Sequence, residues 1–374
     1  MNSKERVHAA LEHKVPDKVP YGEFAIDFDT AEKLLGHKTY YRNKAAILLA
    51  VWEGRYDEMA QSVTEDGLAL VEKVPQQDLL SGQILPSRNQ EKPRKIDDET
   101  YEYKDGRVLK YSAITNDFTV VHYPDRDYLP TDKDIENAAA GMIDRWEDYR
   151  LEPIRRLVAR NGKEKAIAGP GTEVGMPLFG GMTNGLMYYL TDPGRIKAWL
   201  EAVTIGGEKL DDYNLEIGHD IVGWGTDYAY NAGPFLSPAQ FREFVFPYAK
   251  RRVDAIHKRG LPVIQHACGN NWPLMDYFLE IGFDCYQSIQ NSAGMDLKLL
   301  KPKYGKRLAL WGGMPVEDLV SGTPDDITRD VKYAMQYGKP GGGYIFGASH
   351  SIAVGTKYDN YMRMLDEFER LREY

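Results

Sequence analysis

Cysteine is nearly absent: two thiols, Cys268 and Cys285, in 374 residues. One pair cannot build the disulfide framework of a secreted scaffold, so a reducing, cytoplasmic setting is expected. No apolar run approaches the roughly 18 residues of a membrane-spanning helix. The opening MNSKERVHAALEHKVPDKVP has scattered charges where a secretory signal has an apolar centre. Neither a span nor a leader is expected. Basic residues are outnumbered, 47 to 56, for a formal charge of −9. That balance argues against nucleic acid as a partner, because phosphate neutralisation needs a basic face. Glycines cluster at 312–313 and 341–343, but neither cluster has the Lys-Ser/Thr of a phosphate loop or G-x-G-x-x-G spacing. They are expected at close backbone turns.

What is present is an α/β alternation. Short apolar runs at 19–24, 67–72, 165–169, 220–225, 261–266, 283–287, 308–312 and 343–346 predict strands. Between them, helical patterns cover 194–218, 238–259, 273–281, 325–337 and 359–370. Ser237-Pro238 and Thr323-Pro324 place a capping hydroxyl before a first-turn proline. The length and the eightfold alternation predict one (β/α)8 barrel domain over residues 1–374. From about 76 to 127 the alternation fails. Residues 100–111 alternate around Asp105-Gly106, a hairpin signal, and 118–122 reads as a further strand. This predicts an antiparallel flap inserted after the second strand, serving as lid or contact surface.

The chemistry concentrates at Val263-Ile-Gln-His266-Ala-Cys268-Gly269, where an apolar strand ends in a His-x-Cys pair. Residues i and i+2 of an extended chain point the same way, so both side chains can reach one zinc ion. His350 follows another short strand and a small-residue turn. It is a candidate third ligand, and equally a hydrogen-bonded loop residue or a proton donor. In a barrel the C-terminal strand ends share one mouth. That mouth is then expected to gather Glu23, Glu173, Asp227, Tyr228, Tyr230, Gln287, Gln290 and Trp311 with the two histidines and Cys268. Asp227 and Glu173 are the candidate proton carriers or supports of the ligands. Glu23, Tyr228, Tyr230, Gln287 and Trp311 are the candidate substrate contacts. Cys285, inside a strand, is expected in the core.

Several segments resemble the uroporphyrinogen decarboxylase superfamily: residues 6–20, Pro238–Pro247 followed by Gly260–Gly269, Ala293-Gly-Met-Asp296, Leu310-Trp-Gly-Gly313, and the ending from Gly342 through His350 to Asn360. The resemblance implies a (β/α)8 barrel and a tendency to dimerise. True decarboxylases carry Arg-Gln-Ala-Gly-Arg after the first strand to hold a tetrapyrrole's carboxylates. Here that place reads Tyr21-Gly-Glu-Phe-Ala-Ile-Asp-Phe-Asp29, and residues 20–36 contain no arginine. A polycarboxylate lacks its Arg forks there. The decarboxylase branch stays the alternative through His350, which matches the histidine of its Gly-His-Gly motif; a non-catalytic relative is a further one.

The other branch, zinc-dependent methyltransferases acting with a corrinoid protein, is similar at His266-x-Cys268. Its usual third ligand is a cysteine after the last strand, where this chain has His350. The resemblance implies Zn2+, a corrinoid carried by a partner protein, and methyl transfer involving a small methyl donor. A mouth rich in aromatics and poor in arginine points to an aryl methyl ether.

Overall fold

The computed structural model describes residues 1–141 and 148–374. In chain order its strands are β1 (Leu79–Ser81), β2 (Arg94–Lys95), β3 (Thr100–Glu102), β4 (Val108–Ser112), β5 (Asp117–His122), β6 (Ala166–Pro170), β7 (Ile221–Trp224), β8 (Ala229–Tyr230), β9 (Gly233–Pro234), β10 (Val263–His266), β11 (Cys285–Ser288), β12 (Ala309–Gly312) and β13 (Tyr344–Ile345). A seven-stranded sheet runs β1-β6-β7-β10-β11-β12-β13. Every pairing in it is parallel, with Ile264 opposite Cys285 and Gln287 opposite Trp311. Helices join these strands, as parallel pairing requires.

Residues 19–24, expected as the first strand, contribute single parallel bridges instead: Tyr21 to Phe346 and Gly22 to Leu79. The two edges of the sheet are thereby joined through two consecutive residues. Gly22 permits this approach, because a Cβ there would lie 2.9 Å from that of Leu79. The expected strand at 67–72 is wrong: those residues belong to a helix, Tyr56–Lys73. Tyr56, Met59, Val63 and Leu70 are buried at helical spacing along it. A five-residue run without a polar side chain, Gly67 to Val71, cannot by itself separate helix from strand. The true second strand, Leu79–Ser81, lies inside the segment expected to be all flap.

The two proline-led capping boxes form, Ser237 with Gln240 and Thr323 with Asp326. The helix expected over 238–259 is two, Pro238–Phe244 and Phe246–His257. Pro247 in the first turn of the second has no N–H to continue the first. A second sheet, β2-β3-β4-β5, is antiparallel and turns at Gly106, whose φ is +86°. Tyr101 and Phe118 from it pack on Trp52, at ring distances of 5.0 and 5.6 Å.

Inside the parallel sheet an aliphatic core holds Ala166, Ala168, Ile221, Ile264, Cys285, Ala309 and Ile345. Cys285 is fully buried there, as its place in a strand predicts. Among the described residues no helix is long and apolar enough to cross a membrane.

Candidate metal centre and its two cavities

The centre is built where β10 and β13 run out. Gly269 ends the β10 loop at φ +84°, with Ala229 backbone atoms 2.6 Å from where a Cβ would stand, so only glycine fits. Asn271 braces the same loop by donating from Nδ2 to the carbonyls of Ala267, Cys268 and Gly269 at 3.1, 2.9 and 3.2 Å. Asp227 Oδ1 accepts the Cys268 N–H at 2.7 Å.

Candidate ligand atoms of His266, Cys268 and His350 all lie within 4.8 Å of one another. The Cys268 Sγ to His266 Nε2 distance is 3.5 Å. Zn–S and Zn–N bonds of ordinary length at a tetrahedral angle require about 3.6 Å. The donor set and this spacing therefore suit zinc. Each imidazole is also turned correctly. Gln287 bonds His266 Nδ1 and donates its Nε2 to Ala348 O at 3.3 Å. The amide oxygen thus faces the imidazole, Nδ1 carries the proton, and Nε2 keeps its lone pair toward Cys268. Phe24 stacks on the His266 ring, 4.2 Å between centroids and 15° between planes. Ser288, at φ +125°, donates to Ser349 O at 2.7 Å and lies 3.7 Å from Cys268 Sγ. One hydroxyl thus touches both ligand-bearing loops.

Burial lowers the pKa of His266 and of His350, so both rings are neutral and able to ligate at neutral pH. Burial pushes the Cys268 thiol up to about 12. A bound cation must then displace its proton.

Two cavities meet this centre. The first, about 330 Å3, is bordered by Cys268, His350, Asp227, Tyr230, Gln290 and Ser349. The second, about 370 Å3, has His266, Phe24, Trp224, Trp311, Glu173 and Arg42 among its walls. Asp227 Oδ1 stands 3.9 Å from His266 Nε2, half-exposed. Glu173 is exposed on the second cavity while its Oε2 accepts the Gly225 N–H at 2.6 Å. The surrounding protein walls still push its pKa up.

The remaining expected site residues fall in varied places. Trp311 is buried, donates from Nε1 to Gly22 O at 2.9 Å and walls the second cavity. Tyr230 is 54 % exposed on the rim of the first. Gln287 stands behind His266, fully buried. Tyr228 is buried among Phe241 and Phe278, its hydroxyl on Val174 O at 2.7 Å. Glu23 is buried on the far side of the loop that precedes His350, taking the Ala348 N–H at 3.1 Å. Four residues were missed by sequence reasoning: Phe24, Asp27, Arg42 and Ser288. The expectation of an arginine-poor mouth is corrected by Arg42. That residue lies beyond the arginine-free stretch 20–36, at φ +58°, and only the fold brings it to the cavity of His266.

A parallel-sheet α/β protein with a His/Cys/His cluster beyond its strand ends is the class these features define. The chain belongs to the uroporphyrinogen decarboxylase (URO-D) family, whose model matches residues 169–371, more than half of it. It is 24% identical over 196 residues to a methylated-thiol–coenzyme M methyltransferase of Methanosarcina mazei, a match covering 50% of this chain and 48% of that enzyme. The chain therefore spans about half the length of that relative. It is 28% identical over 282 residues to the chloroplastic uroporphyrinogen decarboxylase of Zea mays, covering 71% of this chain and 67% of that one. A solved methyltransferase structure from Methanosarcina mazei shares the fold, with a TM-score of 0.65 and 18% identity over 99% of both chains.

Proposed function

We propose that this chain is a zinc-dependent methyltransferase that takes a methyl group from a small donor, an aryl methyl ether, for a corrinoid carried by a partner protein. The observation that carries the reading is the His266–Cys268 edge of 3.5 Å with His350 alongside, bordering a cavity. The similarity to a methyltransferase supports it. The reading treats the joined parallel sheet as a (β/α)8 barrel within one cytoplasmic domain, and residues 76–127 as its flap.

Bound through His266 Nε2, Cys268 Sγ and His350, zinc would supply Lewis acidity to the ether oxygen, or to a thiol acceptor run in the opposite direction. The protein's own part is orientation and proton handling. Phe24, Trp224 and Trp311 offer flat walls for an arene in the cavity against His266. Glu173, with its raised pKa, holds a proton closer to neutral pH than a free carboxyl does and can release it to a departing phenoxide. Asp227 fixes the Cys268 backbone and borders the opposite cavity.

The test is metal analysis of the purified chain, followed by incubation with a reduced corrinoid protein and methoxyarenes, methanol or methylamines. Zinc near one equivalent with methyl transfer from a methoxyarene is expected. Failure with every donor would falsify the reading. Arg42 in the mouth is the observation that keeps a decarboxylase in view, and direct assay for coproporphyrinogen formation distinguishes it.

A further inference from the structure

The loop that carries Glu173 is held from behind by a charge pair remote from both cavities' reacting groups. Asp211, on the helix Pro193–Leu215, and Arg252, on the helix Phe246–His257, form an ion pair with both side chains 0 % exposed. Each has a second bond, to Thr172, the residue before Glu173. Asp211 Oδ1 accepts the Thr172 N–H at 3.0 Å, and Arg252 Nε donates to Thr172 O at 3.4 Å. The Thr172 hydroxyl donates in turn to Gly207 O at 3.3 Å. We propose that Asp211 and Arg252 are positioning residues: through the Thr172 main chain they set the Glu173 carboxylate against the second cavity. The proposal rests on the methyl-transfer reading for what Glu173 does, and assigns the residues that place it there.

A buried pair of this kind is a poor source of stability, because taking two charges out of water costs about what their attraction returns. Arg252 is not even fully bonded: its Nη1 is buried without a partner among the described residues. The helix that carries Asp211 adds a second cost. Gly206 and Gly207 stand in its interior, where glycine is less favourable than alanine. At Gly207 the reason is the same loop: a Cβ would lie 2.7 Å from Thr172 Cγ2 and 3.3 Å from Arg252 Nε. Two unfavourable features thus converge on one residue. Thr172 is gripped at N–H, C=O and hydroxyl, so its backbone cannot turn without breaking one of three bonds. Glu173 is exposed and is not placed by packing of its own side chain. Its direction follows from the main chain on either side, Thr172 in this grip and Val174 in the core. So directed, the carboxylate reaches just past β7, where Oε2 takes the Gly225 N–H at 2.6 Å.

The test uses the purified full chain with its glycines nitrogen-labelled for NMR. The Gly225 amide resonance is identified by its shift in Glu173→Ala, which removes its acceptor. Asp211→Leu together with Arg252→Met replaces the pair by apolar side chains, an exchange that is often neutral or stabilising. This double variant is expected to melt no lower than the parent, yet to move the Gly225 resonance most of the way to its Glu173→Ala position. Gly207→Ala favours the helix but crowds Thr172. It should move the same resonance, and it decides the matter if the double variant does not fold. With a methyl donor and a reduced corrinoid protein, loss of the pair should lower kcat about 10-fold to 100-fold with KM little changed. It should lower it no further in a chain already carrying Glu173→Ala, because both changes act through one carboxylate. A Gly225 resonance unmoved in the folded double variant, or in Gly207→Ala should the double variant not fold, would overturn the proposal. The two readings fail separately. A displaced Gly225 resonance in a chain that transfers no methyl group sinks the transferase and leaves the positioning pair. Methyl transfer that survives loss of the pair, with Gly225 in place, does the reverse.

Discussion

Asp27 reaches His350 through a single hydroxyl. Ser351 Oγ donates to Asp27 Oδ2 at 3.0 Å and lies 2.9 Å from His350 Nδ1. A carboxylate only accepts, so the one hydroxyl hydrogen goes to Asp27 and Ser351 oxygen must take the proton of Nδ1. His350 is thereby left with a lone pair on Nε2, the state a metal ligand needs. Arg42 holds the other oxygen of the same carboxylate, at 3.1 Å. Arg42 and the third candidate ligand therefore share one anchor.

Ser351→Ala should leave the fold intact and weaken zinc binding about 10-fold to 100-fold, the usual cost of losing a ligand's supporting bond. Competition against a chromogenic chelator measures it. Unaltered affinity would show that His350 is not held in place for a metal.

Cys268→Ala removes the one ligand that carries charge when bound. The expected outcome is loss of bound zinc with an unshifted thermal transition, since the loop keeps its Asn271 and Asp227 bonds to backbone atoms. Collapse of the transition together with metal loss would assign the ion to structure rather than to chemistry.

The alternation of strand and helix was legible because buried parallel strands are apolar throughout and their helices carry caps, as at Thr323-Pro324. The His-x-Cys pair was legible because two-residue spacing at a strand end needs no tertiary information. Residues 67–72 misled because Gly-Leu-Ala-Leu-Val has no polar residue to show its period before Glu72. Phe24, Asp27, Arg42 and Ser288 were illegible for another reason. Each acts through a partner at least 15 residues away, Arg42 on Asp27 being the nearest such pair, and their positions depend on closure of the sheet. Ser288 and Arg42 moreover stand at positive φ, which no propensity anticipates for these side chains.

Gln287 answers two buried groups at once, His266 Nδ1 and Ala348 O. Gln287→Leu keeps the volume but leaves both unpaired. At about 1–3 kcal/mol for each unsatisfied group, the loss of stability should be about 2–6 kcal/mol by denaturant unfolding, with a weaker zinc site. Gln287→Glu retains the acceptor for Nδ1 and sets a carboxylate against a carbonyl, so it should rescue the imidazole's orientation without rescuing stability. Equal behaviour of the two variants in zinc affinity would sink the orienting role.

Glu23 is 1 % exposed, and burial raises its pKa from the ordinary 4.5 to about 8. Its folded-state pKa exceeds its unfolded one, so the folded chain holds this proton over a pH range where the unfolded chain has released it. The stability it contributes is complete below about pH 4.5 and is lost as pH rises through about 8. The slope across that window is about 1.4 kcal/mol per pH unit at most. Glu23→Gln keeps an acceptor for the Ala348 N–H and cannot ionise. The variant should therefore equal or fall slightly below the parent at pH 5 and exceed it at pH 8.5, by about 2 kcal/mol or more. Urea unfolding at the two pH values decides the matter. A parent and variant whose difference does not change between them would mean that Glu23 ionises in the folded chain as it does in water.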